Sequence, residues 1–212
     1  MTAERLLLWR HGRTASNADG SFQGQLDVPL DDVGRIQVKE AAELLAAEFR
    51  GSAVRLVSSD LSRAHDTARA LTALVDLPIT LDPRLREIWV GRWQGLRRAD
   101  VASAEPEAFA AWRAGEDVVV GGGERRSEAG ARAAAAIEEH AGAMDGGTLV
   151  VASHGAALRG AVMLLIGLGS WAPDRLGSLR NAHWADLSRR GERWVLDGYN
   201  VGPSWGSTAA EG

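Results

Sequence analysis

Four consecutive apolar residues, Leu6-Leu7-Leu8-Trp9, stop at Arg10-His11-Gly12, and the pattern returns far downstream where Leu149-Val150-Val151-Ala152 runs into Ser153-His154-Gly155. Runs this short and this apolar read as buried strands. In an open α/β sheet, ligands bind in the crevice beyond the carboxyl ends of the strands, so two His-Gly pairs at two strand ends predict one site. A third run, Val54-Arg55-Leu56-Val57, ends in Ser58-Ser59-Asp60-Leu61-Ser62-Arg63 and sets Arg63 in the first turn of the next helix. Cations and imidazoles thus converge where an anion would bind.

The rest of the chain alternates in a way that supports such a sheet. Residues 13 to 31 read as a long polar loop carrying Asn17, Gly20, Gln23, Gly24 and Pro29, and loops of that length in compact domains tend to be functional. From Val33 to Phe49 the apolar residues recur at helical spacing, with Asp31 or Asp32 as N-cap. A helix from about Asp60 to Val75 follows the second strand, and Ile79 to Leu81 form a short strand between Pro78 and Pro83. Residues 96 to 142 hold only helical or irregular segments, including Glu105 to Arg113, the turn-like Gly121-Gly122-Gly123 and a helix from about Ser127 to Met144; they are expected to form a helical insertion over the site. A helix at 155 to 166 is followed by His183 to Ser188 and Arg193 to Asp197, which could pair as a hairpin. The expected fold is a three-layer α/β/α sandwich on a mostly parallel sheet with one antiparallel edge strand, in a single domain spanning 1 to 212 with a loose tail from 199.

Composition narrows the function classes. A net charge of −4 with interspersed signs gives no reason to expect nucleic acid as a partner. There is no cysteine, hence no disulfide, thiolate metal site or cysteine nucleophile, in keeping with a reducing compartment. No apolar stretch approaches ~20 residues, and the N-terminal run is too short for a secretory segment. The expectation is a soluble, cytoplasmic protein without membrane association whose partners are small molecules; a homodimer is left open.

The clustered residues suit phosphoryl transfer. A neutral imidazole with one ring nitrogen held by an acceptor can attack phosphorus through the other, and His11 fits that role. Arginine's forked donors match phosphate, so Arg10 and Arg63 would hold the oxygens. His154, ahead of a helix, could donate from its ring while the helix N-terminus adds positive potential. Asn17 and Gln23 add neutral donors. Glu87, in Leu85-Arg86-Glu87-Ile88-Trp89, is the candidate acid for the leaving oxygen, and its ordinary pKa of about 4.3 would have to rise for that task. Glu124 is the next carboxylate in line.

In that order, Arg10-His11-Gly12, Asn17, Gln23-Gly24, Ser58 to Ala64, Leu85-Arg86-Glu87, Gly122-Gly123-Glu124 and Ser153-His154-Gly155 resemble the histidine phosphatase superfamily, the group that includes the phosphoglycerate mutases. The resemblance spans residues 5 to about 160 and implies His11 as phospho-acceptor, Arg10, Arg63 and His154 as phosphate pocket, Glu87 as proton donor, Asn17, Gln23, Gly24 and Gly155 on the substrate side, and no metal or other cofactor. Gln23-Gly24-Gln25-Leu26-Asp27, Asp66-Thr67-Ala68 and Trp93-Gln94-Gly95-Leu96 are similar to bacterial small-molecule phosphatases, those acting on glucosyl-3-phosphoglycerate among them. Arg13 stands where the family often has Glu or Gln, and the region of Glu87 lacks the basic-aromatic run of the mutases. The implied activity is metal-independent phosphomonoester hydrolysis through phosphohistidine, with a phosphoglycerate mutase or a catalytically silent phospho-ligand-binding regulatory module as alternatives.

Plainer readings stand beside these. His65, His140 and His183 have no H-x-H or H-E-x-x-H company and read as structural. Glu87 could be a surface ion-pair partner of Arg84 or Arg86. Trp89 and Trp93 flank the expected site, but core or rim packing explains them better than ring stacking. The Gly121 to Gly123 run lacks the Lys-Ser/Thr of a P-loop and reads as a hinge or turn.

Overall fold

The computed structural model describes residues 2–49, 51 and 53–204. Six strands form one sheet: β1 (Arg5–Arg10), β2 (Val54–Ser58), β3 (Ile79–Leu81), β4 (Thr148–Ser153), β5 (Trp184–Arg190) and β6 (Arg193–Val201), in the order β3-β2-β4-β1-β5-β6. The first four are parallel; β5 runs antiparallel to both β1 and β6. The antiparallel strand therefore lies one place in from the edge, and β6 closes the sheet through the expected hairpin. Its turn is Gly191-Glu192, with Gly191 in the left-handed conformation that such tight turns need.

The alternation of side chains explains why the strands are apolar throughout. In β1, Leu6 and Leu8 point to one face and Leu7 and Trp9 to the other; in β4, Leu149 and Val151 oppose Val150 and Ala152. Helices α2 (Asp32–Glu48) and α3 (Ser62–Thr72) cover one face. Helices α6 (Arg126–Gly142) and α7 (Gly155–Leu165) cover the other. This is the three-layer α/β/α arrangement. Asp31, rather than Asp32, caps α2 by accepting from the Gly34 amide at 2.7 Å.

Three expectations need correction. The segment 13 to 31 contains α1 (Ala15–Asp19), capped by Thr14 and Asn17 in a reciprocal capping box. The insertion at 96 to 142 divides: α4 (Arg98–Ala104) and α5 (Pro106–Arg113) stand beside the site with their own small core around Trp93, Phe22 and Val120, whereas α6 packs on the sheet as part of the sandwich. Residues 199 to 201 belong to β6 instead of a loose tail; 205 to 212 lie outside the described residues. No helix among the described residues is long and apolar enough to cross a membrane.

Candidate active site

Insertion of β4 between β2 and β1 places their carboxyl ends side by side. Arg10 pairs with Ser153 in register, and the ladder continues one step as the His11 amide donates to the Ser153 carbonyl at 2.9 Å. His11 and His154 consequently stand abreast, ring centroids 5.2 Å apart. The chain must then turn sharply under α2. A Cβ on Gly12 would lie 2.6 Å from the Gly34 carbonyl oxygen, and one on Gly34 2.0 Å from that of Arg13, so two glycines permit the contact.

His11 is buried, and its Nδ1 lies 2.7 Å from the Gly12 carbonyl oxygen. A carbonyl only accepts, so Nδ1 carries the proton and Nε2 keeps its lone pair for the pocket. Burial first, then the charges of Arg63 and Arg10, push the imidazole pKa well below its usual value. The ring is neutral at physiological pH, as a nucleophile must be.

Arg63 is fully buried, and burial lowers its pKa to about 10, so it remains a cation. It donates from Nε to His154 Nδ1 at 3.2 Å, from Nη1 to the Leu26 carbonyl at 2.7 Å and from Nη2 to the Gly24 carbonyl at 2.8 Å. A guanidinium has five N–H groups, so two remain for the pocket. His154 accepts at Nδ1 and therefore donates from Nε2 to Ser59 Oγ at 2.9 Å. Both its ring nitrogens are engaged by protein. In this arrangement it orients Arg63 and is not among the residues lining the pocket, a departure from the expected direct donor into it. Gly155 lies against Arg10, where a Cβ would come 3.3 Å from its Nε.

Glu87 lines the same pocket. Its Oε1 accepts from the amides of Ile88 (2.9 Å) and Ala157 (3.0 Å), and Oε2 from that of Ala156 (3.1 Å), so the carboxylate sits on the first turn of α7. It is not the ion-pair partner of its neighbours: Arg84 pairs with Asp82 and Glu139, and Arg86 with Asp60. Arg132 positions the turn, donating to the carbonyls of Arg84, Arg86 and Glu87. Glu124, the alternative acid, is committed elsewhere, gripped by Arg132 at both oxygens and by the Trp89 amide. Burial alone would raise its pKa, but those donors hold it below the usual range.

The pocket has a volume of about 160 Å³, lined by Arg10, His11, Asn17, Gln23, Gly24, Arg63 and Glu87 among others. Asn17 receives Thr14 N–H and Asn181 Nδ2–H at its Oδ1, which leaves its amide N–H groups on the pocket side. Asn181 was not legible beforehand: its Nδ2 also donates to the His11 carbonyl at 2.9 Å, clamping the segment before β5 to the end of β1. Nothing in a lone asparagine 170 positions away signals that contact. Of the two flanking tryptophans, Trp93 is fully buried core and Trp89 is half exposed; the indole that reaches the pocket is Trp112.

A family model for the histidine phosphatase superfamily (branch 1) matches residues 6–202. The chain belongs to that superfamily. Among its relatives, a glucosyl-3-phosphoglycerate phosphatase of Mycobacterium tuberculosis is 36% identical over 219 residues, covering 95% of this chain and 96% of the relative. A metal-independent phosphoserine phosphatase of Arabidopsis thaliana is 36% identical over 198 residues, covering 92% and 80%. A solved mycobacterial glucosyl-3-phosphoglycerate phosphatase in complex with VO3 superposes with a TM-score of 0.86 at 36% identity, covering 94% of this chain and all of that one.

Proposed function

We propose that this member of the superfamily is a metal-independent phosphomonoester hydrolase that works through a phosphohistidine at His11 on a small phosphorylated metabolite of the glucosyl-3-phosphoglycerate type. The observation that carries the reading is the Nδ1–H bond of His11 to the Gly12 carbonyl, which leaves Nε2 as a neutral nucleophile in an arginine-lined pocket. Nε2 attacks phosphorus and the ester P–O bond breaks. Arg10 and Arg63, with the amide N–H of Asn17 and Gln23, stabilise charge on the equatorial oxygens. Glu87 gives its proton to the leaving oxygen, then takes one from the water that attacks the phosphohistidine, releasing orthophosphate and restoring His11. His154 acts as a positioning residue for Arg63. The substrate class rests on the relatives' names. Cytoplasmic residence belongs to the same proposal, since a chain without cysteine suits a reducing compartment.

Turnover of p-nitrophenyl phosphate in EDTA, with rapid quench of labelled protein, tests the reading. Acid-labile, base-stable phosphate should be trapped on the wild type and be absent from His11→Ala, which should have no measurable turnover. A His11→Ala protein with substantial activity would remove the nucleophile assignment. With labelled phosphoglycerate as the substrate, label returned to phosphoglycerate instead of released as orthophosphate would favour a mutase.

A further inference from the structure

Thr14 is fully buried and is not among the residues lining the pocket, yet it stands behind the two that bring side-chain amides to it, Asn17 and Gln23. A primary amide carries an acceptor oxygen and an NH2 donor on a nearly symmetric frame. Turned one way it binds an anion; turned by half a revolution it repels one. In an empty pocket the charges of Arg10 and Arg63 draw amide oxygens inward, so a site that is to receive phosphate must hold both amides against that pull.

Both are held through Thr14. Its backbone N–H donates to Asn17 Oδ1 at 3.1 Å, and the Asn17 backbone N–H donates to Thr14 Oγ1 at 3.2 Å. Thr14 Oγ1 has two oxygens in reach, Gln23 Oε1 at 2.9 Å and Asn17 Oδ1 at 3.1 Å, and a hydroxyl has one proton to give. Asn17 Oδ1 already accepts from Thr14 N–H and from Asn181 Nδ2–H, which occupies both of its lone pairs. The proton therefore goes to Gln23, the nearer acceptor, and fixes its oxygen on the Thr14 side. The main chain around Gln23 is pinned by other groups: Arg63 donates to the carbonyls of Gly24 and Leu26, and the Gln25 amide donates to Gln94 Oε1 at 2.7 Å. For the side-chain amide of Gln23, Thr14 is the one hydrogen-bond partner among the described residues.

We infer that Thr14 is a positioning residue for the reaction: with its N–H on Asn17 and its O–H on Gln23, it turns the N–H groups of both amides toward the pocket. What those N–H groups do there rests on the phosphatase reading. The two holds are separable, because the backbone N–H survives a substitution and the hydroxyl does not.

Thr14→Val keeps the shape and the backbone N–H and removes the hydroxyl; Thr14→Ser keeps the hydroxyl. The test measures p-nitrophenyl phosphate turnover, and calorimetric binding of orthovanadate as a mimic of the transferring phosphoryl group, in wild type, in both variants, and in Gln23→Ala with and without Thr14→Val. Thr14→Val should lower kcat/KM by on the order of 10²-fold, the scale of losing one preorganised donor, and weaken vanadate binding at least about tenfold. Thr14→Ser should return kcat/KM to within about fivefold of wild type, because serine serves both the cap and the amide. In Gln23→Ala protein, Thr14→Val should cost at least about tenfold less than in wild type, since members of one hydrogen-bond network are not additive. A structural role alone gives the same loss in both backgrounds. That result, or Thr14→Val protein that matches wild type, would overturn the assignment. If Thr14→Val does not fold, Thr14→Ala set against Thr14→Ser carries the same comparison. The two readings fail separately: wild type that hydrolyses nothing while Thr14→Val still weakens vanadate binding removes the phosphatase and keeps the positioning role, and full turnover in Thr14→Val does the reverse.

Discussion

The chemistry of the site turns on how single side chains are held. His11 stays neutral among arginines because burial and their charges both oppose protonation, while one carbonyl decides which nitrogen is free. Arg63 spends three donors on protein and keeps its fork rigid, so in the proposed mechanism little entropy would be lost on binding phosphate. Glu87 is the carboxylate whose role kinetics can isolate. If it protonates the leaving oxygen, Glu87→Gln should slow alkyl phosphate hydrolysis by on the order of 10²–10⁴ yet slow p-nitrophenyl phosphate far less, because nitrophenolate departs without a proton. Equal losses with both substrates in the phosphorylation step would show that Glu87 acts otherwise.

At the scale of elements, the site depends on close approaches that only small residues allow. Helices α6 and α7 touch at Gly130 and Gly160, where a Cβ on either would lie 2.7 Å from the other's Cα. That contact seats α6, whose Arg132 donates to the Glu87 carbonyl, against α7, whose first-turn amides hold the Glu87 carboxylate. Gly130→Ala must push the helices apart and should lower unfolding stability by about 1–3 kcal/mol, the usual cost of overpacking, with a rise in KM for the natural substrate. Gly142→Ala on the same helix has nothing within 4 Å of the new Cβ and serves as the control, expected to be neutral or stabilising. Denaturant midpoints for the pair decide the matter; equal midpoints would mean that the helix contact tolerates the methyl group.

For the whole molecule, the two buried imidazoles tie stability to pH. Burial, followed by Arg63, pushes the pKa of both His11 and His154 well below the ordinary value. In the unfolded chain they protonate near 6.5, so below that pH the unfolded state binds more protons and folding stability declines as pH falls. Each contributes up to about 1.4 kcal/mol per pH unit. The carboxylates act in a lower window: Asp82, which burial alone would raise, is held at about 2 by Arg84 and His140, and its contribution is lost only as pH falls below about 4. Urea unfolding at pH 7.5, 6.5 and 5.5 should therefore show a falling free energy, with a shallower slope in His154→Gln. An unchanged slope in that variant would mean that His154 is not buried neutral.

Several features follow from residue order alone. Short apolar runs ending in Arg10-His11-Gly12, Arg63 after the second run and Ser153-His154-Gly155 identify the strands and the ends at which the candidate site gathers, because side-chain period and composition are local properties. A cap at Asp31 or Asp32 and the hairpin after β5 are legible for the same reason, and the structure chose Asp31. What brings His11 beside His154 is the placement of β4 next to β1, a choice among strand orders that no local pattern encodes. Tertiary packing also turned His154 toward Arg63 and Ser59, bound Glu124 to Arg132, drew α6 into the sandwich, and stacked Arg98, Arg126 and Arg159 on two indoles. Each of those outcomes pairs side chains across turns and elements whose relative orientation exists only once the sheet has buried both of its faces.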